Sequence, residues 1–220
     1  MAESLRETVS EAAATVFVVD DEDTVRKALA RLIRSAGMTA RTFPTAEAFL
    51  AENHAVPASC LVLDVRLPGL NGLQLQEALN RTGYPIAIIF ITGHGDVPTS
   101  VRAMKAGAVD FLQKPFAGPD LLDAIRLAVG RTQDAVAKQA ERAEIQRRHD
   151  GLTPRERQVF SLVVIGLLNK QVAGELGAAE KTIKIHRGRV MAKMQAPSLA
   201  DLVRMAGLLG VPAQRTAKTA

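Results

Sequence analysis

Four short apolar runs in the first half of this chain each place a polar or charged residue at or just beyond their end. The runs occupy residues 16–21, 60–64, 86–92 and 109–115. In a parallel α/β sheet the carboxyl ends of all strands lie along one edge, and ligand sites form there. The pattern therefore predicts a parallel sheet with one crevice lined by Asp20, Asp21, Asp64, Thr92 and Lys114.

The chemistry of these five side chains predicts a site for a metal ion and a phosphoryl group. Crowded carboxylates repel one another unless a cation lies among them, and Mg2+ binds oxygen ligands while keeping several waters. A carboxylate beside such an ion, a hydroxyl and an ammonium group can attack phosphorus to form an aspartyl phosphate. Asp64 is the predicted nucleophile.

Taken singly, each of these residues also has an ordinary structural role. An Asp after a strand commonly caps the next helix, and a Thr at a strand end or a Lys before Pro commonly lies in a turn. The order of the four runs, with helical segments between them, favours one shared site over separate coincidences.

Alternating apolar runs and amphipathic stretches organise the first half of the chain. Strands are predicted at 15–20, 38–43, 60–64, 86–92 and 108–112, and helices near 22–36, 45–52, 71–80, 96–106 and 118–129. Five such βα units form a parallel sheet with helices on both faces. Gly37 and Gly107 occupy positions typical of helix C-terminal caps.

The charge of the chain is divided unevenly along its length. Residues 1–130 contain 12 Lys and Arg against 15 Asp and Glu, a net charge of −3, whereas residues 131–220 contain 16 against 8, a net charge of +8. A compact basic segment is typical of polyanion binding, although a solvated basic surface gives the same count. The 220 residues have room for two domains.

Other features of the whole chain favour a soluble, cytoplasmic protein without a membrane partner. The N-terminus lacks the basic start and apolar core of a secretory signal, and no stretch approaches about 18 uninterrupted apolar residues. The single cysteine, Cys60, cannot form an internal disulfide and is predicted to be a core residue. We expect residues 1–14 and 213–220 to be flexible.

Residues 131–150 are rich in Ala, Gln, Glu and Arg and nearly free of large apolar side chains. They are predicted to form a polar helical linker after a first domain at 15–130, and Gly130 is a point where the helix is expected to break. A weak seven-residue repeat of apolar residues leaves two alternatives open, a solvated spacer or a coiled-coil dimer.

A second domain is predicted at 151–212. Thr153, Pro154 and Glu156 form a capping box with Pro at the first helical position, which predicts a helix through about residue 165. Further helices are predicted at 169–176, 180–194 and 198–209. A helix, a three-residue turn containing Gly177 and a longer basic helix are typical of a helix-turn-helix motif.

The helix at 180–194 has one apolar side, formed by Ile183, Val190, Met191 and Met194, and an opposite side free for DNA. On that opposite side Lys184 is a candidate to bind guanine and Ile185 a thymine methyl group, and Gly188 permits close approach. The other candidate DNA-binding residues on this helix are Lys181, Thr182, His186, Arg187, Arg189 and Lys193, of which the last four are assigned to phosphates. Alternatively, His186 is a packed residue and the helix a solvated basic surface.

Several segments resemble a known family. VVDDE, LVLDVRLPGLNGL, FITGHGD and AGAVDFLQKPF resemble the receiver domain of two-component response regulators, and most closely the FixJ branch of the NarL/FixJ family. LTPRERQVFSLVVIGLLNKQVAGELG and KTIKIHRGRVMAKM resemble the LuxR-type output domain of the same family. The resemblance implies a flavodoxin-like, doubly wound five-stranded parallel sheet of order 2-1-3-4-5, followed by a small all-α helix-turn-helix domain.

The resemblance also implies roles for the crevice residues. Asp20 and Asp21 hold Mg2+ together with Asp64 and the backbone carbonyl of Arg66. Asp64 accepts a phosphoryl group from the phosphohistidine of a sensor histidine kinase. Thr92 moves to bind that group.

Three further positions follow from the same resemblance. Lys114 pairs with the phosphoryl group, and the Lys114–Pro115 bond is expected to be cis. Phe111 occupies the position of the aromatic switch residue and has no hydroxyl. Ala179 stands where relatives usually have a Ser or Thr that caps the recognition helix, and loss of such a cap costs about 1 kcal/mol.

Together these features predict a transcription regulator that is switched by phosphorylation of Asp64. We expect it to dimerise when phosphorylated, to bind promoter double-stranded DNA and to act with RNA polymerase. It is not expected to be an enzyme, apart from slow self-dephosphorylation that Arg66 and His94 control.

Two other function classes are compatible with parts of the sequence. A phosphatase of the haloacid-dehalogenase type uses an aspartyl nucleophile, but it needs an acidic residue two positions later, where this chain has Arg66. A phosphate-accepting interaction protein without a DNA partner would not need the basic helix.

Overall fold

A computed structural model describes residues 14–52, 59–93 and 97–211 of the chain. The chain divides into two compact units, with the boundary between Val136 and Ala137. Among the described residues, no helix is both long enough and apolar enough to span a membrane.

The first unit alternates strands and helices in the predicted order, and every strand bound lies within two residues of its predicted position. The strands are β1 Thr15–Val19, β2 Thr39–Phe43, β3 Ser59–Asp64, β4 Ala87–Thr92 and β5 Asp110–Gln113. The helices are α1 Asp23–Ser35, α2 Ala46–Leu50, α3 Gly72–Thr82, α4 Val97–Lys105 and the first part of α5 Gly118–Asp150. Gly37 and Gly107 follow α1 and α4 with φ of +81° and +95°, as expected of helix C-terminal positions.

The five strands form one parallel sheet of order β2-β1-β3-β4-β5, which confirms the predicted fold class. Side chains of each central strand alternate between two buried layers. Val16, Val18, Val62, Ile89 and Ile91 pack against α1 and α5 on one face. Phe17, Val19, Leu61, Leu63 and Phe90 pack toward the other helices on the opposite face. Because both faces are covered, the central strands are continuous apolar runs. Cys60 is buried in β3, as expected.

Helix α5 runs without interruption from Gly118 to Asp150, so the expected break at Gly130 is wrong. Glycine costs about 1 kcal/mol relative to alanine inside a helix, and burial of residues on both sides of Gly130 offsets this cost. Before it, Ile125 lies in the core of the first unit. After it, the buried Thr132 hydroxyl accepts a hydrogen bond from the Ala87 N–H at 2.9 Å.

The expectation of a solvated spacer is also wrong near the end of α5. Ile145 is only 2% exposed and belongs to the core of the second unit. The boundary between the units lies inside the predicted linker. The limits of the two domains at 15–130 and 151–212 remain predictions.

The second unit contains helices α6 Pro154–Val164, α7 Asn169–Leu176, α8 Glu180–Met194 and α9 Leu199–Leu208. The predicted capping box is present, because the Thr153 N–H donates to Glu156 Oε2 at 2.9 Å and the Glu156 N–H donates to Thr153 Oγ1 at 3.3 Å. Helix α7 ends at Gly177, whose φ of +61° is readily adopted by glycine. Helices α7 and α8 thus form the predicted helix-turn-helix.

Candidate functional site

The predicted crevice forms at the carboxyl edge of the sheet. Asp20 follows β1, Asp64 ends β3, Thr92 ends β4 and Lys114 follows β5. The Lys114 ammonium donates to Asp20 Oδ2 at 2.6 Å and to Asp64 Oδ2 at 2.7 Å. The Lys114 N–H also donates to the Thr92 carbonyl at 2.7 Å, so β5 is aligned with the end of β4. Residues far apart in sequence are therefore brought together by strand order alone.

Burial and ion pairing set the charges of this crevice. Asp20 is fully buried, and burial raises the pKa of its carboxyl against the hydrogen bonds from Lys114 and the Glu22 N–H. Burial alone would lower the pKa of the Lys114 ammonium, but its hydrogen bonds to Asp20 and Asp64 outweigh that effect and raise the pKa. The lysine is therefore held charged between the two carboxylates.

The carboxylates of Asp20, Asp21 and Asp64 fit a divalent cation. One oxygen from each lies within 4.8 Å of the others. Three carboxylates and one ammonium group leave two negative charges, which a divalent ion would neutralise, and an all-oxygen donor set is the one that Mg2+ prefers. The Arg66 N–H donates to Asp64 Oδ1 at 2.9 Å, so the Arg66 backbone lies beside the cluster.

A cavity of about 220 Å3 opens beside these groups. Its lining includes Asp64, Arg66, Thr92 and Lys114. The volume and its polar lining suit a group of the size of a phosphoryl. His94, the other residue predicted to control dephosphorylation, lies outside the described residues.

Phe111, the predicted switch residue, lies on β5, two strands away from Asp64 on β3. Its half-buried ring packs against Phe90 with the ring centroids 6.2 Å apart. The two residues are register partners in β4 and β5. The Lys114–Pro115 bond is cis, as expected.

Three residues that shape the crevice were missed by sequence reasoning. The Arg26 guanidinium donates to the carbonyls of Asp20 and Asp21 at 2.7 and 2.8 Å and so fixes the loop after β1. A Cβ atom at Gly72 would lie 2.3 Å from the Asp64 carbonyl oxygen. Glu47 accepts the Leu70 N–H at 2.9 Å and tethers the loop after β3.

The second candidate site is the outer side of α8. Ile183, Val190 and Met194 are buried in the helical core, and Met191 is half-buried against it, as the periodicity predicts. The exposed positions of the helix include Lys181, Thr182, Lys184, Ile185, Gly188 and Arg189. Ile185 is 50% exposed, so an apolar side chain lies on the surface among these basic residues. This face combines positive charge with one apolar group.

Three other candidates on α8 have surroundings that the sequence did not indicate. Arg187 donates to Asn169 Oδ1 at 3.2 Å across the two helices of the motif. His186 is half-buried, and its Nδ1 atom is buried without a hydrogen-bond partner among the described residues. The Lys193 ammonium donates to Glu156 Oε2 at 2.7 Å, an internal ion pair that competes with its predicted contact to DNA phosphate.

The Lys193–Glu156 pair predicts a pH dependence of stability. Glu156 is 2% exposed, and its hydrogen bonds from Lys193 and the Thr153 N–H lower the pKa of its carboxyl from 4.5 to about 2. Because the folded pKa is the lower one, the stabilisation is complete above the unfolded value and is lost as pH falls from 4.5 toward about 2. We expect Glu156→Gln to lower the free energy of unfolding at neutral pH and to flatten its decline in this window. Urea denaturation of both proteins across the window measures this, and parallel curves would contradict it.

Ala179 is the N-cap of α8, and its side chain makes no capping hydrogen bond, as the sequence indicated. Glu180 in the first turn places a negative charge near the positive end of the helix dipole. Helix α8 therefore begins without the side-chain acceptor that a Ser or Thr would supply.

Comparison with known proteins gives the same two-part division. Residues 16–126 match the response regulator receiver domain, and residues 150–206 match the bacterial regulatory proteins of the luxR family. Nodulation protein W of Bradyrhizobium diazoefficiens is 52% identical over 206 residues, which cover 94% of this chain and 91% of that protein. The transcriptional regulatory protein FixJ of Azorhizobium caulinodans is 45% identical over 196 residues, 89% of this chain and 93% of that protein. The solved structure of the response regulator StyR is 46% identical, with a TM-score of 0.77 over 89% of this chain and 98% of that one.

Proposed function

The chain belongs to the FixJ/NarL-type response regulators of two-component systems, and we propose that Asp64 is the phosphoacceptor through which its LuxR-type output domain is controlled. The observation that carries this assignment is the ion pair between Lys114 and Asp64 in a crevice of three carboxylates. Asp64 lines the cavity, whereas Asp20 is fully buried and does not.

The phosphoryl transfer follows from this geometry. An Asp64 carboxylate oxygen attacks the phosphorus of the kinase's phosphohistidine, the P–N bond breaks, and the imidazole leaves with the electron pair. The Lys114 ammonium lies 2.7 Å from Asp64 Oδ2, close enough to pair with the oxygens of a phosphoryl group on Asp64. Thr92, at the end of the neighbouring strand, supplies a hydroxyl group to the same site. Mg2+, held by Asp20, Asp21, Asp64 and the Arg66 carbonyl, would neutralise charge on the transferring group.

The same site limits the lifetime of the acyl phosphate. Arg66 is exposed at the rim of the cavity, where its side chain can control the approach of water. We assign this role to Arg66 and His94. Apart from accepting the phosphoryl group, we expect slow self-dephosphorylation to be the only reaction that the chain carries out. A phosphatase that turns over is disfavoured because the position of the general acid is occupied by Arg66.

Phosphorylation is proposed to act on the face formed by α4 and β5. When Thr92 and Phe111 move toward the phosphoryl group, the surface beside them is reshaped. Val97, Val101 and Met104 lie three and four residues apart on α4 and are 75%, 44% and 44% exposed. This apolar stripe supports dimerisation of the phosphorylated chain, which would place two output domains on adjacent half-sites about 10 base pairs apart.

Helix α8 is proposed to read promoter DNA in the major groove. The whole protein is proposed to act in the cytoplasm together with RNA polymerase. The exposed side of α8 carries Lys184 and Ile185, the two residues suited to base edges, and Lys181, Thr182, Gly188 and Arg189 around them. His186 and Arg187 are half-buried and are assigned to its border. The division between base contacts and phosphate contacts makes this proposal testable.

Lys184→Ala is expected to relax sequence specificity more than it lowers overall affinity. A lost bidentate base contact costs about 1–3 kcal/mol at one position of the site. The measurement is binding to the duplex that the wild-type protein selects from a random library, and to single-base variants of that duplex. Arg189→Ala is the matched control, since a lost phosphate contact weakens binding to all duplexes and reduces the salt dependence. Unchanged discrimination in Lys184→Ala would overturn the assignment.

A further inference from the structure

We propose that Arg148, near the end of α5, is a positioning residue that holds the C-terminal end of the recognition helix α8. The proposal rests on the proposed role of α8 in reading DNA. The match to the luxR family begins at residue 150, so Arg148 lies outside the segment that this match covers. The proposed role of Arg148 in DNA binding is therefore based on the contacts of its side chain and not on the family match.

The end of α8 leaves carbonyl groups without partners in the helix. The chain turns at Gln195, which has a φ of +54° and is the only described non-glycine residue with a positive φ. The N–H groups of Gln195 and Ala196 bind the carbonyls of Ala192 and Met191. The carbonyl of the last helical residue, Met194, accepts a hydrogen bond from Arg148 Nη1 at 3.3 Å. A positive charge at this position also complements the helix dipole.

Arg148 is itself fixed on the core that supports α8. Its Nε atom donates to Glu144 Oε1 at 2.9 Å, and its side chain is only 23% exposed. On the same helix, Ile145 is buried in the second unit's core and the His149 ring packs against Phe160 at 5.1 Å. The last turns of α5 thus give the guanidinium a rigid base.

A helix in the major groove reads bases only when its orientation is fixed, whereas attraction to phosphates tolerates small rotations. Gly177 lies in the turn that leads into α8, and Arg148 holds α8 where it ends. Loss of Arg148 therefore reduces binding to a specific sequence and leaves binding to random duplex DNA nearly unchanged.

The test compares Arg148→Ala with Arg147→Ala in the full-length protein. Arg147 is the matched control because it pairs with the same Glu144 carboxylate, carries the same charge and makes no hydrogen bond or ion pair with α8 among the described residues. We expect Arg148→Ala to bind the duplex selected by the wild-type protein about tenfold more weakly, the size of effect that a charged hydrogen bond produces. The affinity of Arg148→Ala for a random duplex should change less than twofold. Arg147→Ala should change neither the affinity for the selected duplex nor the affinity for the random one.

Arg148→Lys retains the charge beside the helix end and is expected to recover part of the lost factor. Circular dichroism establishes that each variant is folded at the temperature used, and Arg148→Gln replaces the alanine variant if that one is unfolded. An equal loss on both duplexes with a smaller salt dependence would identify Arg148 as a phosphate contact and overturn the proposal, as would no loss at all. A selective loss in Arg148→Ala beside unchanged discrimination in Lys184→Ala would overturn the base-reading role of Lys184 and support Arg148.

Discussion

Asp64→Asn is expected to accept no phosphoryl group from acetyl phosphate and Mg2+ and to show no gain in DNA affinity under those conditions. The amide cannot form the acyl phosphate, because it lacks the negatively charged oxygen that attacks phosphorus. In the wild-type protein we expect phosphorylation to raise affinity for the selected duplex on the order of tenfold, within the usual range for coupling between two sites. Intact-mass spectrometry and fluorescence anisotropy measure the two effects in one sample.

Asp123→Asn is the matched control for this substitution. Asp123 lies on α5 of the same unit, and its side chain is 75% exposed beside Arg126. It should take up phosphate and respond as the wild-type protein does. If Asp64→Asn treated with acetyl phosphate gained as much DNA affinity as the wild-type protein, the assignment of the phosphoacceptor would be refuted.

Gly72→Ala is expected to destabilise the receiver and impair phosphorylation together. The added Cβ would lie 2.3 Å from the Asp64 carbonyl oxygen, and this contact is with backbone, which cannot move aside as a flexible side chain can. Overpacking of this kind costs about 1–3 kcal/mol, and relief of the clash displaces the phosphoacceptor. Urea denaturation measures the first effect, and the rate of phosphoryl uptake from acetyl phosphate measures the second.

The same substitution at Gly130 is expected to have the opposite sign. Apart from its chain neighbours and the adjacent backbone of α5 itself, no described atom lies within 4 Å of a Cβ atom at this position. Alanine has a helix propensity better than that of glycine by about 1 kcal/mol, so Gly130→Ala should raise the free energy of unfolding without slowing phosphorylation. If both variants changed stability equally, close approach at Gly72 would not be the cause.

The crevice was predictable from sequence because a parallel sheet brings all strand ends to one edge. Asp20, Asp64, Thr92 and Lys114 each mark such an end, and strand order alone places them together. The two faces of α8 were predictable for a similar reason, since helical periodicity separates Ile183 and Val190 from Lys184. In both cases the local pattern and the tertiary structure carry the same information.

The features that sequence reasoning missed depend on contacts between distant residues. Lys193 and Glu156 are 37 residues apart, and periodicity places Lys193 on an exposed surface where its pairing with a buried carboxylate is not visible. Glycine has a low helix propensity, which predicts a break at Gly130. The helix continues because side chains that flank Gly130 are buried in the tertiary structure, and this burial outweighs the low propensity. The need for glycine at position 72 depends on the path of the backbone at Asp64.

The most direct test of the account is the DNA affinity of the wild-type protein measured against the phosphoryl occupancy of Asp64. Samples are taken during phosphorylation by acetyl phosphate and during the decay that follows its removal, and each is divided between mass spectrometry and binding to the selected duplex. We predict that affinity rises with occupancy and returns to its starting value as the acyl phosphate is lost. Affinity that stays constant while Asp64 passes from empty to fully phosphorylated would contradict the central claim.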